Sequence, residues 1–170
     1  MKFWKSIVSV FFIAVISCGS EKPGGNFSRD GVSFTYPSGW SITEEGDLDG
    51  TGYYLSVEKE GFDASGLLTL TWVTQIPDSK EYLEIIQEEY KQQKILKDLK
   101  FQSVRDNNFN GIPSLSSDFK FNTFGLEHKG TIYVFVKGKN TYSIIKQEAI
   151  EDISKNQEGF DLIEGTFKVE

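Results

Sequence analysis

The sequence is poor in the residues that build most catalytic and metal centres. It has 170 residues, with one cysteine, one histidine, one methionine and four prolines. A single cysteine excludes a disulfide framework and any cysteine-rich metal site. A single histidine leaves few routes to acid–base catalysis at neutral pH and cannot form a two-histidine zinc site. A Gly-x-Ser-x-Gly nucleophile motif and a glycine-rich phosphate loop are also absent from the sequence.

Positive charge is scarce as well. The chain carries 18 Lys and Arg against 25 Asp and Glu, for a net charge of −7. This balance argues against binding to nucleic acid, which needs a surface rich in Lys and Arg. Aromatic residues are plentiful, at 3 Trp, 7 Tyr and 14 Phe, and they suffice for a packed core. The length is typical of one domain.

The amino terminus carries the most specific motif. Lys2 and Lys5 precede an apolar segment, Ile7–Ile16, which is too short to cross a bilayer as a helix of about 20 residues but suits a secretory signal. The following Val15–Gly19, Val-Ile-Ser-Cys-Gly, resembles the lipobox of bacterial lipoproteins. The alternatives are an uncleaved amino-terminal anchor, or a plain secretory signal with a chance cysteine.

The lipobox resemblance implies a specific modification. Ser17 is the small residue before the cleavage point, and the Cys18 thiol accepts a diacylglycerol before its amine is acylated. Two or three acyl chains anchor a protein stably, whereas one does not. Gly19 and Ser20 differ from the aspartate that commonly retains such proteins in the inner membrane, so the outer membrane, facing the periplasm, is favoured.

The sequence predicts three regions. Residues 1–17 form the signal peptide, residues 18–28 hold the acylated cysteine and a flexible tether, and residues 29–170 form one globular domain. The tether is predicted from its content of Gly, Ser, Pro, Asn and charged residues.

The sequence pattern of the globular region predicts strands, then a helix, then strands, then a helix. The helix following Asp78 has capping-box spacing with Glu81 and is expected to end near Lys97. Hydrophobic side chains at 160, 163 and 167 predict a closing helix. Hairpin-linked strands with single crossover helices predict an α+β fold, an antiparallel sheet flanked by helices. The strand segments are 32–36, 40–42, 53–57, 67–73, 101–104, 115–121, 131–136 and 142–145.

Three packing motifs resemble the Mog1/PsbP-like family. They are Phe34–Trp40 (Phe-Thr-Tyr-Pro-Ser-Gly-Trp), Asn110–Pro113 (Asn-Gly-Ile-Pro), and the Phe160, Ile163, Phe167 ending. The resemblance covers about residues 27–170. It implies the family's fold and a binding or assembly role without catalysis, as in members that act in photosystem II or on a small GTPase. The functional residues of those two members have no match in this sequence.

Two segments are candidates for a weak metal site. Asp106, Asn108 and Asn110, followed by Gly111, have the spacing of the first half of a calcium-binding loop, but Ser117 stands where the bidentate Glu belongs. Flanking strands favour a hairpin turn instead. Asp47 and Asp49 lie in the acidic segment 44–50, for which a solvated loop is the favoured interpretation. No cofactor is therefore predicted, with Ca²⁺ as the weaker alternative.

Two further side chains are notable. His128 is expected to be a surface turn residue rather than a general base. Phe109, Phe119, Phe121 and Phe124 are crowded together, and most of this group is expected in the core. Phe124, in a Thr-Phe-Gly turn, is expected to be exposed and is the candidate contact for a partner.

These observations leave three hypotheses for the function. The first is an anchored envelope lipoprotein with a non-catalytic binding or assembly role towards a protein partner. The second is a carrier or sensor of a small apolar ligand or lipid, which requires an aromatic-lined cavity of several hundred Å³. The third is a carboxylate-based hydrolase, which requires two converging carboxyl groups with raised pKa values.

Overall fold

The computed structural model describes residues 24–61, 64–74, 76 and 78–170. Eleven strands and two α-helices follow one another in this part of the chain, with a 3-10 turn at Ile150–Asp152 before the second helix. The elements are β1 Gly25–Arg29, β2 Val32–Tyr36, β3 Trp40–Asp47, β4 Gly52–Lys59, β5 Leu67–Val73, α1 Ser79–Gln92, β6 Lys97–Phe101, β7 Arg105–Phe109, β8 Ile112–Thr123, β9 Leu126–Lys137, β10 Asn140–Ala149, α2 Ile153–Thr166 and β11 Lys168–Val169.

The strands form two antiparallel sheets. The large sheet has the order β3-β4-β5-β10-β9-β8-β6, and β7 pairs with the first half of β8. The small sheet has the order β1-β2-β11. Helix α1 connects β5 to β6 and therefore crosses from the middle of the large sheet to its edge. The predicted α+β class, an antiparallel sheet flanked by helices, is confirmed.

The two faces of the large sheet carry separate cores. On β10, Ile144 belongs to the core shared with α2, and its neighbour Ile145 belongs to the core under α1, because successive side chains of a strand point to opposite faces. The α2 side also buries Trp40, whose ring lies 5.2 Å from that of Phe160. The α1 side buries Leu83 against the β8–β9 hairpin.

The amino-terminal end of helix α1 is as predicted, but its carboxyl-terminal end is not. Asp78 caps the helix, because its side chain accepts hydrogen bonds from the backbone N–H groups of Lys80 and Glu81. The helix ends at Gln92 rather than near Lys97, and Lys97 begins β6 instead. Pairing with β8, and packing of Leu96 and Leu99 beneath α1, outweigh the helical propensity of this segment.

The predicted carboxyl-terminal end of the tether, at residue 28, is wrong. Gly25–Arg29 forms β1 and pairs with β2, so residues 25–28 belong to the fold. Phe27 explains this, because its ring is buried and stacks on Phe34 at 5.2 Å. The predicted signal peptide, Ser17 and Cys18 lie outside the described residues. No helix within the described residues has the length and apolar character needed to span a membrane.

Candidate functional site

A charged cleft lies between α2 and the β8–β9–β10 part of the large sheet. Its volume is about 530 Å³, and six of its fifteen lining residues carry a charge. The α2 side of the sheet is apolar on β4 and β5, whereas β8, the first half of β9 and the last half of β10 place polar and charged side chains in the cleft. The charged lining residues are Asp118, Lys120, Lys129, Lys146, Glu148 and Asp161.

Asp118 anchors one wall of the cleft. Its carboxylate lies 2.9 Å from the Arg105 guanidinium and accepts a 2.7 Å hydrogen bond from the Thr131 hydroxyl. Partial burial acts to raise the pKa of Asp118, but the hydrogen bonds from Arg105 and Thr131 outweigh it and hold the pKa below 3.8. Asp118 is therefore an ionised, partnered group and a poor proton donor at neutral pH.

Two lysines of the cleft are also paired. The Lys129 Nζ lies 3.4 Å from the Glu148 carboxylate, which accepts a second contact of 3.1 Å from the Asn156 amide. Lys146 is 2.5 Å from Glu164 on α2. The Glu148–Asn156 and Lys146–Glu164 contacts join the sheet to α2, and the cleft is lined by charges of both signs.

A buried polar network lies at the amino-terminal end of α2, next to the cleft. The Ser65 hydroxyl donates to Asp152 at 2.7 Å and accepts from the Ala149 N–H at 3.0 Å. A hydrogen bond from Lys155 and the one from Ser65 lower the pKa of Asp152. The network fixes the start of α2, because Asp152 precedes its first residue. Asn156, which is fully buried, links this network to Glu148.

In the described part of the chain, this arrangement forms neither a carboxylate pair for acid–base catalysis nor a metal site. Asp118 and Asp152, the carboxyl groups with a shifted pKa, are both shifted down, whereas a carboxylate pair sharing a proton needs one raised pKa. Within the described ranges no group of three His, Cys, Asp or Glu side chains is placed to hold a metal ion. The cleft can pair with complementary charges on another molecule.

The first candidate metal segment forms a tight hairpin turn. Asn110 and Gly111, with φ of 46° and 81°, connect β7 to β8. The Asn108 side chain accepts from the Gly111 N–H at 2.9 Å, and the Asn110 amide donates to the Phe167 carbonyl at 2.9 Å. Because these side chains bond to the backbone, the turn has a structural role, as favoured from the sequence. Asp106 lies on β7 and is exposed.

The second candidate metal segment is only partly a loop. Glu44 to Asp47 belong to β3, so the predicted solvated loop is confined to residues 48–51. The Asp47 side chain accepts from the Gly50 N–H at 2.5 Å, and Asp49 adopts a φ of 52° in the turn. Backbone pairing with β4 holds this segment on the strand, and Glu45 also accepts a 2.6 Å hydrogen bond from Tyr53.

The prediction for His128 is wrong, whereas the prediction that Phe124 is exposed is confirmed. His128 lies on β9, half-buried, with its ring stacked 5.0 Å from that of Phe121, and burial lowers its pKa. Phe109, Phe119 and Phe121 are buried in the two cores. Phe124 is 88% exposed at the tip of the β8–β9 hairpin. Its role as a partner contact remains a prediction.

The cleft was missed from the sequence. Thr131 and Tyr133 alternate with the buried Ile132 and Val134 on β9, and Lys129 continues the same face, so this alternation signals a partly polar face. It does not show that α2 lies over that face, since the cleft depends on contacts between residues far apart in the chain.

Comparisons with known proteins bear on the fold. No family model matches the sequence, and no curated protein matches it significantly. Among solved structures, cyanobacterial PsbP (CyanoP) from Synechocystis is similar with a TM-score of 0.53 and 12% identity, covering 95% of this chain and 99% of that one. A Bacteroides thetaiotaomicron protein is similar with a TM-score of 0.54 and 14% identity over 88% of this chain, which spans 49% of that protein.

A third solved structure is more distant. LpqN of Mycobacterium tuberculosis, described as involved in cell envelope biogenesis, gives a TM-score of 0.49 at 10% identity. At this distance it carries no argument about function. Because the CyanoP alignment spans nearly the whole of both chains, the chain has a PsbP-like α+β fold.

Proposed function

We propose that this chain is a membrane-anchored cell-envelope lipoprotein with a non-catalytic role in binding a protein partner. The lipobox-like Val15–Gly19 supports the anchor at Cys18, and Gly19 and Ser20 support an outer-membrane location facing the periplasm. The observation that carries the binding role is the charged cleft between α2 and the sheet.

The composition of the cleft favours a protein partner. Lys120, Lys129 and Lys146 line the cleft together with Asp118 and Glu148, so the cleft presents both signs of charge, and the Lys129–Glu148 pair fixes part of the pattern. Charge patterns of this kind confer specificity and orientation between proteins.

The two other hypotheses have less support. A carrier of an apolar ligand needs a cavity lined mostly by apolar and aromatic groups, whereas ten of the fifteen residues that line the cleft are polar or charged. A carboxylate hydrolase needs an acid with a raised pKa, whereas the pKa values of Asp118 and Asp152 are lowered.

Photo-crosslinking in the native membrane tests the proposed binding site. A photoreactive amino acid replaces Gln157, an exposed α2 residue that lines the cleft, and in a control strain it replaces Gln92, exposed on α1. We expect one discrete protein adduct from position 157 and none from position 92. The absence of an adduct from position 157, or equal adducts from both positions, contradicts the proposal.

A further inference from the structure

We propose that the tip of the β8–β9 hairpin docks on the phosphate-bearing headgroups of the membrane that holds the anchor. This inference rests on the proposed function, because it takes acylated Cys18 as the anchor. It goes beyond that function by assigning a lipid surface, rather than a protein, to Phe124.

The tip carries an apolar patch. Phe124 is 88% exposed and Leu126, two residues later, is 40% exposed. Ile95, 49% exposed, lies two residues before Lys97, which pairs with Asn122 next to the tip. Three of the six exposed large hydrophobic side chains in the described chain are therefore gathered at one end of the sheet.

A row of positive charge lies behind this patch. Lys100, Lys120 and Lys129 are direct cross-strand neighbours on β6, β8 and β9, and we call them the lysine row. Like charges placed opposite each other destabilise a sheet. Lys129 is paired with Glu148 at 3.4 Å, so Lys100 and Lys120 carry the charge argument. The nearby Glu127 lies 3.6 Å from Lys120, with both side chains more than half exposed, and such a pair is weak and exchangeable.

The spacing between patch and lysine row matches a membrane interface. Lys120 and Lys129 pair three positions before Thr123 and Leu126 along the hairpin. At about 3.3 Å per residue, the lysine row lies roughly 10 Å behind the tip. When aromatic and aliphatic side chains enter the interface to this depth, lysine side chains at that distance reach the headgroup phosphates.

The chain leading to Cys18 leaves the domain at the same end of the sheet. Gly24 packs against the backbone of Tyr36 and Pro37, just before Trp40 begins β3. Trp40 on β3 pairs with Lys59 on β4. This pair lies one residue nearer the end of the sheet than the paired Leu67 on β5 and Gln147 on β10. The lysine row lies at the same level on β6, β8 and β9. This follows because Lys129 pairs with Glu148, the residue directly after Gln147. Five residues lie between Cys18 and Gly24, and the six residue-to-residue steps reach roughly 20 Å when extended.

The backbone at the tip adds an independent argument. Among the described residues, three two-residue turns pair a residue at φ near 50° with glycine: Asp30-Gly31, Asn110-Gly111 and Phe124-Gly125. Asp and Asn suit this conformation, whereas a bulky aromatic residue is strained in it. Phe124 therefore serves neither turn formation nor the core.

Fluorescence quenching by brominated lipid tests the proposed membrane contact. The acylated chain carrying Phe124→Trp is reconstituted in phosphatidylcholine vesicles with and without phosphatidylglycerol, brominated in their acyl chains. The unsubstituted chain gives the background from the buried Trp40 and Trp72. The matched control is Val136→Trp, an exposed residue near the other end of β9.

We expect a blue shift and quenching for Phe124→Trp, strongest with phosphatidylglycerol, and little of either for Val136→Trp. Adding Lys100→Gln and Lys120→Gln, each of which removes one positive charge, should lower the ratio of docked to undocked protein by about fivefold per lysine. Equal quenching of the two tryptophan variants overturns the inference. The inference is also overturned if Phe124→Trp is unquenched in vesicles but blue-shifted in native membranes, because that result identifies a protein contact.

The mass of the same preparation separates the two proposals. An acylated chain without quenching at position 124 contradicts the membrane contact alone. A chain without acyl groups at Cys18 contradicts the anchor on which both proposals depend.

Discussion

Phe124 in the β8–β9 turn has the backbone conformation of Asn110 in the β7–β8 turn. Their φ angles are 50° and 46°, and each is followed by a glycine with φ near 80°. The Asn110 amide bonds to the carbonyl of Phe167, whereas the Phe124 ring is almost entirely exposed. The same turn thus has an optimal residue at one site and a strained residue at the other.

We therefore predict that Phe124→Asn makes the protein more stable. Asn tolerates the left-handed conformation that costs other residues about 1 kcal/mol, so the free energy of unfolding should rise by about that amount. Urea denaturation measures the change. Phe124→Ala is the control, because it removes the ring but keeps a side chain that is strained in this conformation. Equal effects from both variants would contradict the backbone explanation.

Two glycines of helix α2 should respond in opposite ways to alanine. A β-carbon at Gly159 would lie 2.2 Å from the Trp40 ring, so Gly159→Ala should destabilise the fold by about 2 kcal/mol through overpacking. A β-carbon at Gly165 meets nothing within 4 Å, so Gly165→Ala should stabilise it by roughly 0.5–1 kcal/mol through helix propensity. Thermal unfolding of the two variants checks this, and a gain at position 159 would contradict the observed Trp40 packing.

The Arg105–Asp118 pair should make stability depend on pH. The pKa of Asp118 in the folded protein is below its ordinary value of 3.8. The ionised Asp118 therefore makes its full contribution to the free energy of unfolding above pH 3.8, and this contribution disappears as the pH falls through the folded pKa. Asp118→Asn should therefore cost about 1 kcal/mol or less at pH 7, and the difference from the native chain should shrink below pH 3.8. Urea denaturation at pH 7 and pH 3 measures it. Asp49→Asn, in the exposed β3–β4 turn, should show no such change.

Ser65 should be important for attaching α2 to the sheet. Its hydroxyl joins Asp152 to the Ala149 backbone, so Ser65→Ala leaves a buried carboxylate and an N–H group each without one partner. We expect a loss of roughly 1–3 kcal/mol in the free energy of unfolding. Ser65→Thr, which keeps the hydroxyl, should recover part of it. A neutral Ser65→Ala would show that the network does not stabilise the helix.

The fold was largely predictable because its signals are local. The alternation in Leu67–Val73 gave β5 with its observed bounds, and Asp78 marked the start of α1. The end of α1 was not predictable, since Gln92 and Lys97 differ little in propensity. The position of β6 is set by its pairing with β8, whose partner residues lie 18 to 25 positions away along the chain.

The candidate site was less predictable because it is built from distant residues. The exposure of Phe124 followed from its turn sequence, and the calcium-like spacing at Asp106 was correctly favoured as a turn. The cleft and the lysine row depend on sheet order and register, which place Lys100 beside Lys120 and α2 over Glu148. No local pattern encodes these relationships.

Native mass spectrometry of the protein gently extracted from its own membranes tests the central claim most directly. The account predicts a chain that begins at Cys18, carries two or three acyl groups and retains a stoichiometric protein partner. An uncleaved or unacylated chain would contradict the anchor. A persistent small-molecule adduct in place of a protein would contradict the proposed protein-binding role.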